Sequence, residues 1–341
     1  MSDFSIPTEV NGYAALGPHQ SLVPYTFQRR ACGPKDIVID ILFAGICHSD
    51  IHQVREEWGK GIFPMVPGHE IGGTVVAVGG EVKKFQIGDT AGVGCMIDSC
   101  RDCESCKAGD EQYCFTGMVE TYNARYKYKH CAEYNEEGGA PAYGGYSKRI
   151  IVDEAYGLLI PKSLDLAAAT PLLCAGITVY SPMMHFGLRS NMRFAVIGLG
   201  GLGHMAAKFA VAFGCHTTII SRGTSKKESS LRDLKVDQYI DSKNEEEMKV
   251  QLLCVVTLLR TMVFVLTPKF DLIAILTHPS LRQLPGHLTS SSARSRQSMT
   301  YCHTSRCSAK MASSWSWAHP RCPSPSASRH SSASVHLFLG L

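Results

Sequence analysis

The chain has 341 residues, 45% of them hydrophobic, which is enough for two globular domains with sizeable cores. Its formal charge of +4 is unevenly distributed: residues 1–271 carry 27 Lys and Arg against 30 Asp and Glu, whereas residues 272–341 carry seven against none. Residues 1–271 are mildly acidic and lack the excess of basic residues that is typical of nucleic-acid-binding proteins. Because we expect neither a signal peptide nor a membrane-spanning apolar run, a cytoplasmic protein without nucleic-acid or membrane partners is predicted.

The first predicted elements bring several metal-ligand types together. Residues 37–43 are predicted to form a β-strand that ends at Gly45, so Cys47 follows a strand end. His69 and Glu70 lie in a glycine-rich turn before a second β-branched run. A tight turn of this kind can direct both side chains towards a common centre.

A further thiol, Cys174, lies in an apolar stretch of helical spacing at residues 164–180. Cys47, His69 and Cys174 together supply two thiolates and one imidazole and leave one position open, which is a ligand set of catalytic zinc sites. Asp50, three residues after Cys47, is a candidate acceptor for the His69 ring, and such a bond would fix the ring's tautomer and orientation.

Four cysteines form a second metal-binding pattern. Their spacing is C-x-x-C-x-x-C, a seven-residue gap and a last cysteine, so one loop can wrap four thiolates around a tetrahedral ion. A closed shell of four sulfurs suits structural zinc. Two disulfides are the alternative, which a reducing compartment disfavours. The four residues are Cys100, Cys103, Cys106 and Cys114.

Residues 122–145 are mostly polar and include a basic and aromatic run at residues 126–130. We predict an exposed loop or insertion here, and a contact surface is the alternative. Neither Cys95 nor Cys131 is assigned a role.

The clearest α/β pattern begins at residue 193. Residues 193–197 form a short apolar strand, residues 198–203 read G-x-G-x-x-G, and residues 204–213 have a helical composition. Strand, glycine turn and helix in this order place backbone N–H groups at a pyrophosphate. The residues assigned to a dinucleotide cofactor are Gly198, Gly200, Gly201, Leu202 and Gly203.

The second strand of this unit favours NADP(H) over NAD(H). It is predicted at residues 217–220 and ends at Ser221 and Arg222, where NAD-binding proteins carry an acidic residue for the ribose hydroxyls. Ser221, Arg222 and Lys226 instead offer a hydroxyl and positive charge to a 2′-phosphate, which an acidic residue would repel. A solvated basic turn is the alternative.

These motifs occur in one order that resembles a known family. The ordered set comprises C-H-S-D at residues 47–50, G-H-E at 68–70, the four-cysteine lobe, L-L-C-A-G-I-T-V-Y-S-P at 172–182 and G-L-G-G-L-G at 198–203. It resembles the zinc-dependent medium-chain alcohol dehydrogenases, above all the cinnamyl-alcohol-dehydrogenase branch, from about residue 13 to about residue 248. The resemblance implies a GroES-like β-barrel catalytic domain with a doubly wound α/β Rossmann domain, and it leaves a homo-oligomer open.

The resemblance also implies roles for residues near the metal. Ser49 matches a hydroxyl that contacts the reacting oxygen, and His52 matches a histidine that passes the proton through the cofactor ribose to water. Such a pair suits the chemistry because a buried alcohol must lose a proton before hydride leaves, and histidine titrates near neutrality. A turn serine and a surface histidine are the alternative. Glu70 is expected to bind the zinc or to lie directly behind it, and His48 is expected to face the cofactor phosphates.

The predicted function is the interconversion of primary alcohols and aldehydes by hydride transfer with NADP(H), with zinc as a Lewis acid on the substrate oxygen. A polyol dehydrogenase of the same superfamily fits Cys174 poorly, because the polyol branch usually has an acidic residue at that ligand. A zinc-binding pseudoenzyme with an incomplete cofactor domain is the alternative from another class.

The family pattern breaks off after about residue 250. Residues 272–341 contain 17 Ser, two Gly and no acidic residue, and such a composition cannot easily complete a Rossmann sheet. A disordered Ser/Arg-rich tail or an out-of-frame translation would account for it. Residues 269–273 resemble the fourth Rossmann strand. The predicted domains are a catalytic domain at 1–155, an incomplete Rossmann domain at 156–273 and an aberrant tail at 274–341.

Overall fold

The structure is a computed structural model that describes residues 8–131, 138–248, 261–266 and 272–276. The chain divides into two compact units between Cys174 and Ala175. The domain boundary at residue 155 and the aberrant tail stay predictions, and residues 277–341 of that tail lie outside the described part. Among the described helices, none alone is long and apolar enough to cross a membrane, and one bent pair passes on length and composition only.

The first unit is built on an antiparallel sheet. Its strands are β1 (Glu9–Ala14), β2 (Val23–Gln28), β3 (Asp36–Ala44), β4 (Ile71–Val78), β5 (Thr90–Val93), β6 (Met96–Asp98), β7 (Val119–Glu120), β8 (Arg149–Asp153) and β9 (Leu158–Leu159). The main sheet has the order β8-β3-β4-β5-β9. The core of this unit contains fully buried side chains of β3 and β4, namely Ile37, Ile39, Ile71 and Val75. β-Branched residues thus form the core, as β-propensity predicts.

The helical segments of this unit are short. They are α1 (His48–Val54), α2 (Glu104–Lys107), α3 (Leu166–Ala169) and the 3-10 turns Glu111–Tyr113 and Thr170–Leu173. The continuous helical spacing predicted at residues 164–180 is wrong, because the chain leaves the helix at Cys174, with φ −125° and ψ −76°. Pro171 explains why α3 gives way to the 3-10 turn Thr170–Leu173, since proline lacks a backbone N–H and favours the start of a turn.

The segment predicted as an exposed loop is also corrected. Residues 122–131 and 138–145 contain no helix or longer strand, so the loop is confirmed for the part the structure describes. Tyr122 and Tyr126 are nevertheless buried, at 4% and 5% exposure. Aromatic rings bury a large apolar area, and the polarity of the residues next to them in the sequence does not predict this burial.

The second unit is a mainly parallel sheet with helices between its first strands. Its elements are α4 (Ala175–His185), β10 (Arg193–Ile197), α5 (Gly201–Ala212), β11 (His216–Ser221), α6 (Lys227–Arg232), β12 (Gln238–Asp241), β13 (Thr261–Leu266) and β14 (Leu272–Leu276). The described sheet has the order β12-β11-β10-β13-β14. Phe194, Val196 and Ile219 are buried against Ala206 and Ala210 of α5, the layering expected of a Rossmann unit.

The strand next to β10 differs from the sequence-based assignment. Residues 269–273 were predicted by resemblance to form the fourth Rossmann strand. Residues 269–271 lie outside the described part, and β13 lies beside β10 in parallel register. β14 instead pairs antiparallel with β13. Both β13 and β14 are short apolar runs, so composition alone did not decide which of them lies beside β10.

Candidate active site

Three separate parts of the first unit bring four potential ligands together. Cys47 precedes α1 directly after β3, His69 and Glu70 precede β4, and Cys174 follows a 3-10 turn. One ligand atom from each of the four residues lies within 4.8 Å of those of the others. Cys47 Sγ is 3.9 Å from Cys174 Sγ, and His69 Nε2 is 3.1 Å from Cys174 Sγ.

This spacing fits a tetrahedral zinc ion. A zinc–sulfur bond of about 2.3 Å places two sulfur ligands about 3.8 Å apart at tetrahedral angles, close to the 3.9 Å between Cys47 and Cys174. The hydrogen bond to Cys47, the largest influence, lowers the pKa of the Cys174 thiol. The hydrogen bond to Cys95 and burial outweigh it and raise this pKa above its ordinary value. Such thiols must lose their protons to bind a metal, so metal binding here releases protons.

Glu70 belongs to the same group and is enclosed by the backbone. A Cβ atom at Gly45 would lie 1.9 Å from Glu70 Oε2, so only glycine leaves room for this carboxylate. Burial raises the pKa of Glu70, and the nearby Asp50 carboxylate adds to the rise while His69 opposes it. A buried carboxylate of this kind can either bind the metal or stay close behind it.

Asp50 orients the His69 ring. Asp50 Oδ1 lies 3.3 Å from His69 Nδ1. Asp50 Oδ2 accepts a 2.8 Å hydrogen bond from the Tyr146 hydroxyl. The backbone N–H groups of Cys47 and Gly68 also donate to Asp50, each at 3.1 Å. Burial alone would raise the pKa of Asp50, but these hydrogen bonds and His69 outweigh burial and lower it. The arrangement directs His69 Nε2 towards the sulfurs.

Two aromatic residues around this group were missed in the sequence. The Tyr122 ring stacks on His69 with centroids 5.7 Å apart, and Tyr146 supplies the hydroxyl bound to Asp50. Both come from the region after the cysteine lobe, far from the ligands along the chain. The polar composition of that region gave no signal for either contact.

The predicted proton-relay residues lie on α1. Ser49 Oγ is 3.4 Å from Cys47 Sγ, which puts the hydroxyl beside the candidate metal group of Cys47, His69, Glu70 and Cys174. His52 Nδ1 forms a hydrogen bond with Glu57, and its ring stacks on Trp58 at 5.0 Å. His48 lies 4.9 Å from the His52 ring, and its predicted contact with cofactor phosphates stays a prediction. Glu57 and Trp58 were not assigned from sequence.

The four-cysteine lobe forms the second potential metal site. One sulfur from each cysteine lies within 4.8 Å of the others, and Cys100 Sγ is 3.8 Å from Cys106 Sγ, the separation that tetrahedral zinc requires. None of the four thiols forms a disulfide, and neither do the other cysteines that the structure describes. The disulfide alternative is therefore not found in this lobe. Its members are Cys100, Cys103, Cys106 and Cys114.

Side-chain hydroxyls surround this lobe. Ser99 Oγ lies 3.3 Å from Cys106 Sγ, and Tyr128 Oη and Thr116 Oγ1 lie 3.5 Å and 3.4 Å from Cys114 Sγ. Burial opposes ionisation of Cys114, but hydrogen bonds from Thr116, Tyr128 and Cys100 lower its pKa to about 6. Burial raises the pKa of Cys106 to about 12. The basic and aromatic run at 126–130 thus contacts the lobe through Tyr128.

The glycine loop of the second unit forms a cradle at the end of β10. Gly198 has φ +94°, which a side chain would strain. A Cβ atom at Gly200 or Gly201 would meet nothing within 4 Å, so both face open space. Gly203 is buried within α5 and Leu202 packs against the core. These two residues pack the helix against the sheet.

A cavity of about 440 Å³ lies beside this loop. Arg222 is exposed at its edge, and Lys226 Nζ donates to the Leu199 carbonyl at 2.6 Å. The open glycine backbone and these two cations fit a dinucleotide with an additional phosphate. The cavity is lined by Ile197, Gly198, Leu199, Gly200, Ile220, Ser221, Arg222, Lys226 and Ser242.

Comparisons with known proteins agree with this site. Residues 33–162 match the alcohol dehydrogenase GroES-like domain. The chain is 54% identical over 224 residues to NADP-dependent alcohol dehydrogenase C 1 of Mycolicibacterium smegmatis, a match that covers 65% of this chain and 61% of the relative. The chain thus spans about 61% of the length of this curated relative.

Two solved structures are also similar. A cinnamyl alcohol dehydrogenase from Sorghum bicolor is 42% identical with a TM-score of 0.68, covering 76% of this chain and 70% of that one. CAD from Helicobacter pylori, solved with NADP(H), is 43% identical with a TM-score of 0.63, covering 69% and 65%. These matches confirm the predicted GroES-like and Rossmann fold class. The chain therefore belongs to the zinc-dependent medium-chain alcohol dehydrogenases, in the branch of the cinnamyl alcohol dehydrogenases.

Proposed function

We propose that the chain interconverts primary alcohols and aldehydes with zinc and NADP(H). The observation that carries this proposal is the convergence of Cys47, His69 and Cys174 within one buried group, which offers three ligands and leaves a fourth position for a substrate oxygen. The zinc ion would supply Lewis acidity at that oxygen, and the nicotinamide would exchange a hydride with the carbon. The similarity to an NADP-dependent alcohol dehydrogenase supports the same reaction.

The residues of this chain have distinct roles in the proposal. Ser49, beside Cys47, accepts the proton that an alcohol must lose before oxidation. His52 passes this proton on, and its contacts with Glu57 and Trp58 fix the ring orientation. Asp50 keeps Nε2 of the ligand histidine directed at the metal.

The cofactor preference in the proposal is for NADP(H). Ser221 ends β11, and Arg222 and Lys226 follow it at the cavity edge, where a hydroxyl and two cations would bind a 2′-phosphate. The four-cysteine lobe would hold a second, structural zinc ion that stabilises the fold and takes no part in the reaction. A homo-oligomer and a cytoplasmic location stay predictions.

The test is an assay of NADPH oxidation by the full chain with aliphatic and aromatic aldehydes, combined with zinc analysis. We expect two zinc ions per chain and aldehyde-dependent oxidation that Cys47→Ser abolishes. Cys32→Ser is the matched control, because Cys32 is a half-buried thiol of the same unit outside both metal groups. Loss of activity in both variants would argue against a specific role of Cys47.

The same assay separates the alternatives. A pseudoenzyme would bind zinc without reducing any aldehyde. A polyol dehydrogenase would oxidise sugar alcohols in preference to simple primary alcohols, and the thiol ligand Cys174 argues against it.

A further inference from the structure

The turn after β11 is fastened to the neighbouring strand β12 at one residue. The backbone N–H of Gly223 donates to Asp241 Oδ1 at 2.7 Å, and the Gly223 carbonyl accepts from the Tyr239 hydroxyl at 2.8 Å. Tyr239 and Asp241 are two residues apart on β12, so their side chains leave the same face of the strand. Both polar groups of Gly223 are thereby bound by β12.

Gly223 has a conformation that needs such support. Its φ is +77°, in the left-handed region. Glycine adopts this region without a side-chain clash, but it also loses more conformational freedom than other residues when it is fixed. Arg222 precedes Gly223 and Lys226 follows in the same turn, so the conformation of Gly223 sets how the two cations lie relative to each other.

Further contacts extend this arrangement. Asp241 pairs with Ser221 in the parallel ladder, and the N–H of Ser242 donates to the Ser221 carbonyl at 3.0 Å. The tyrosine ring is buried in the core at 3% exposure, which leaves only its hydroxyl to reach the turn. Tyr239 is thus a rigid support, since a packed aromatic ring has little freedom to move.

Asp241 introduces a negative charge close to a site that would bind phosphate. An acidic residue near the adenosine ribose normally favours NAD(H). Here Oδ1 accepts the N–H groups of both Gly223 and Lys243, at 2.7 Å and 2.9 Å, so this oxygen is occupied by the backbone. These contacts assign Asp241 Oδ1 to the support of the turn.

We propose that Tyr239 and Asp241 are positioning residues that preorganise residues 221–226 for a 2′-phosphate. This inference rests on the proposed use of NADP(H). A turn held in its binding conformation loses less freedom when the phosphate binds, which increases affinity without a new contact to the ligand. Specificity for the phosphorylated cofactor then depends on β12 as well as on the cations.

The experiment compares the binding of 2′,5′-ADP and 5′-AMP to the full chain by calorimetry. The two probes differ only in the 2′-phosphate, so the ratio of their affinities isolates the turn and does not require catalysis. Tyr239→Phe removes one hydroxyl and keeps the buried ring. We expect it to weaken 2′,5′-ADP binding about three- to tenfold, the loss of one hydrogen bond, and to change 5′-AMP binding less than twofold.

Variants at Asp241 provide the second measurement. Asp241→Ala removes the acceptor and should weaken 2′,5′-ADP binding, whereas Asp241→Asn keeps a carbonyl oxygen and should retain most of the preference. Tyr13→Phe is the matched control, because Tyr13 is 55% exposed on β1 of the other unit. It should change neither affinity. If the alanine variant fails to fold, the phenylalanine variant alone decides.

Several results would overturn the inference. Unchanged 2′,5′-ADP binding in both Tyr239→Phe and Asp241→Ala would show that the turn needs no support from β12. Tighter 2′,5′-ADP binding in both Asp241 variants would show that the carboxylate repels the phosphate. Equal binding of the two probes by the unmodified chain would instead refute the proposed NADP(H) preference, and the inference with it.

Discussion

The hydroxyl of Tyr146 donates a 2.8 Å hydrogen bond to Oδ2 of Asp50. The other oxygen of Asp50 lies 3.3 Å from Nδ1 of His69. The tyrosine is 96 residues beyond the aspartate in the chain. The loop before β8 thus supports His69 of the candidate metal group, although the two are far apart in the sequence. The three residues form one continuous chain of hydrogen bonds that leads to Nε2 of His69, the atom proposed to bind the metal.

Removing the first member of this chain should weaken metal binding. We expect Tyr146→Phe to lower zinc affinity at the Cys47–His69–Cys174 group about tenfold, because partners of ligand residues contribute roughly 10- to 100-fold to affinity. Asp50→Asn should lower it further. The measurement is competition with a chelator, followed by the absorption of cobalt-substituted protein. Zinc retention equal to that of the Tyr13→Phe control would reject a role for Tyr146.

A second prediction concerns the four-cysteine lobe. Cys103→Ser should reduce the zinc content from two ions to one and lower the yield of folded protein, because a structural zinc ion contributes on the order of 10 kcal/mol to folding. Tyr128→Phe should accelerate zinc loss to a chelator without abolishing binding, since it removes a hydroxyl 3.5 Å from Cys114 Sγ. Full zinc content in a folded Cys103→Ser protein would contradict the assignment.

A third prediction tests the cofactor preference. Arg222→Asp should erase or reverse the preference for NADPH over NADH, because losing a charged phosphate contact costs roughly 1.5–3 kcal/mol, about ten- to hundredfold in selectivity. Lys235→Asp makes the same change of charge at an exposed position outside the cavity lining. Fluorescence titration with both cofactors checks the result. An equal change in both variants would reveal a general charge effect.

The local parts of this fold could be predicted from the sequence. The order of strand, glycine turn and helix at residues 193–213 depends on neighbouring residues, and β10 and α5 confirm it. The cysteine spacing around residue 103 likewise indicated a four-sulfur group because one loop carries all four ligands. In these cases the residues that determine the local structure lie within one short segment of the chain.

The contacts that could not be predicted join distant residues. Tyr122 packs on His69, and Asp241 binds Gly223 from the next strand of the sheet. No local pattern records such pairs, because they depend on how the elements pack. The break at Cys174 was missed for a related reason, since the apolar spacing continues through it while the backbone does not.

A fourth prediction separates proton transfer from metal binding. Ser49→Ala should reduce turnover by about 10²- to 10⁴-fold, the usual contribution of a positioned proton-transfer group. Zinc content should stay unchanged, because Ser49 Oγ lies beside Cys47 but supplies no ligand atom to the group. Turnover is measured with saturating NADPH and aldehyde, and the zinc content of the same sample is determined. Unchanged turnover would reject the proposed relay.

The last prediction concerns the packing of Gly45 against Glu70. A Cβ atom at Gly45 would lie 1.9 Å from Glu70 Oε2 and 2.9 Å from Glu70 Cβ, so Gly45→Ala must displace the buried glutamate or the backbone. Such overpacking typically costs 1–3 kcal/mol, and we expect about 2 kcal/mol of stability to be lost.

Gly80→Ala is the matched control for this change, because a Cβ atom there would meet nothing within 4 Å. Thermal unfolding of both variants, with zinc analysis, provides the measurement. We expect Gly45→Ala to lose zinc from the group as Glu70 moves, and Gly80→Ala to keep both stability and zinc. If Gly45→Ala were as stable as Gly80→Ala and retained its zinc, the close fit between Gly45 and Glu70 would not constrain the metal group.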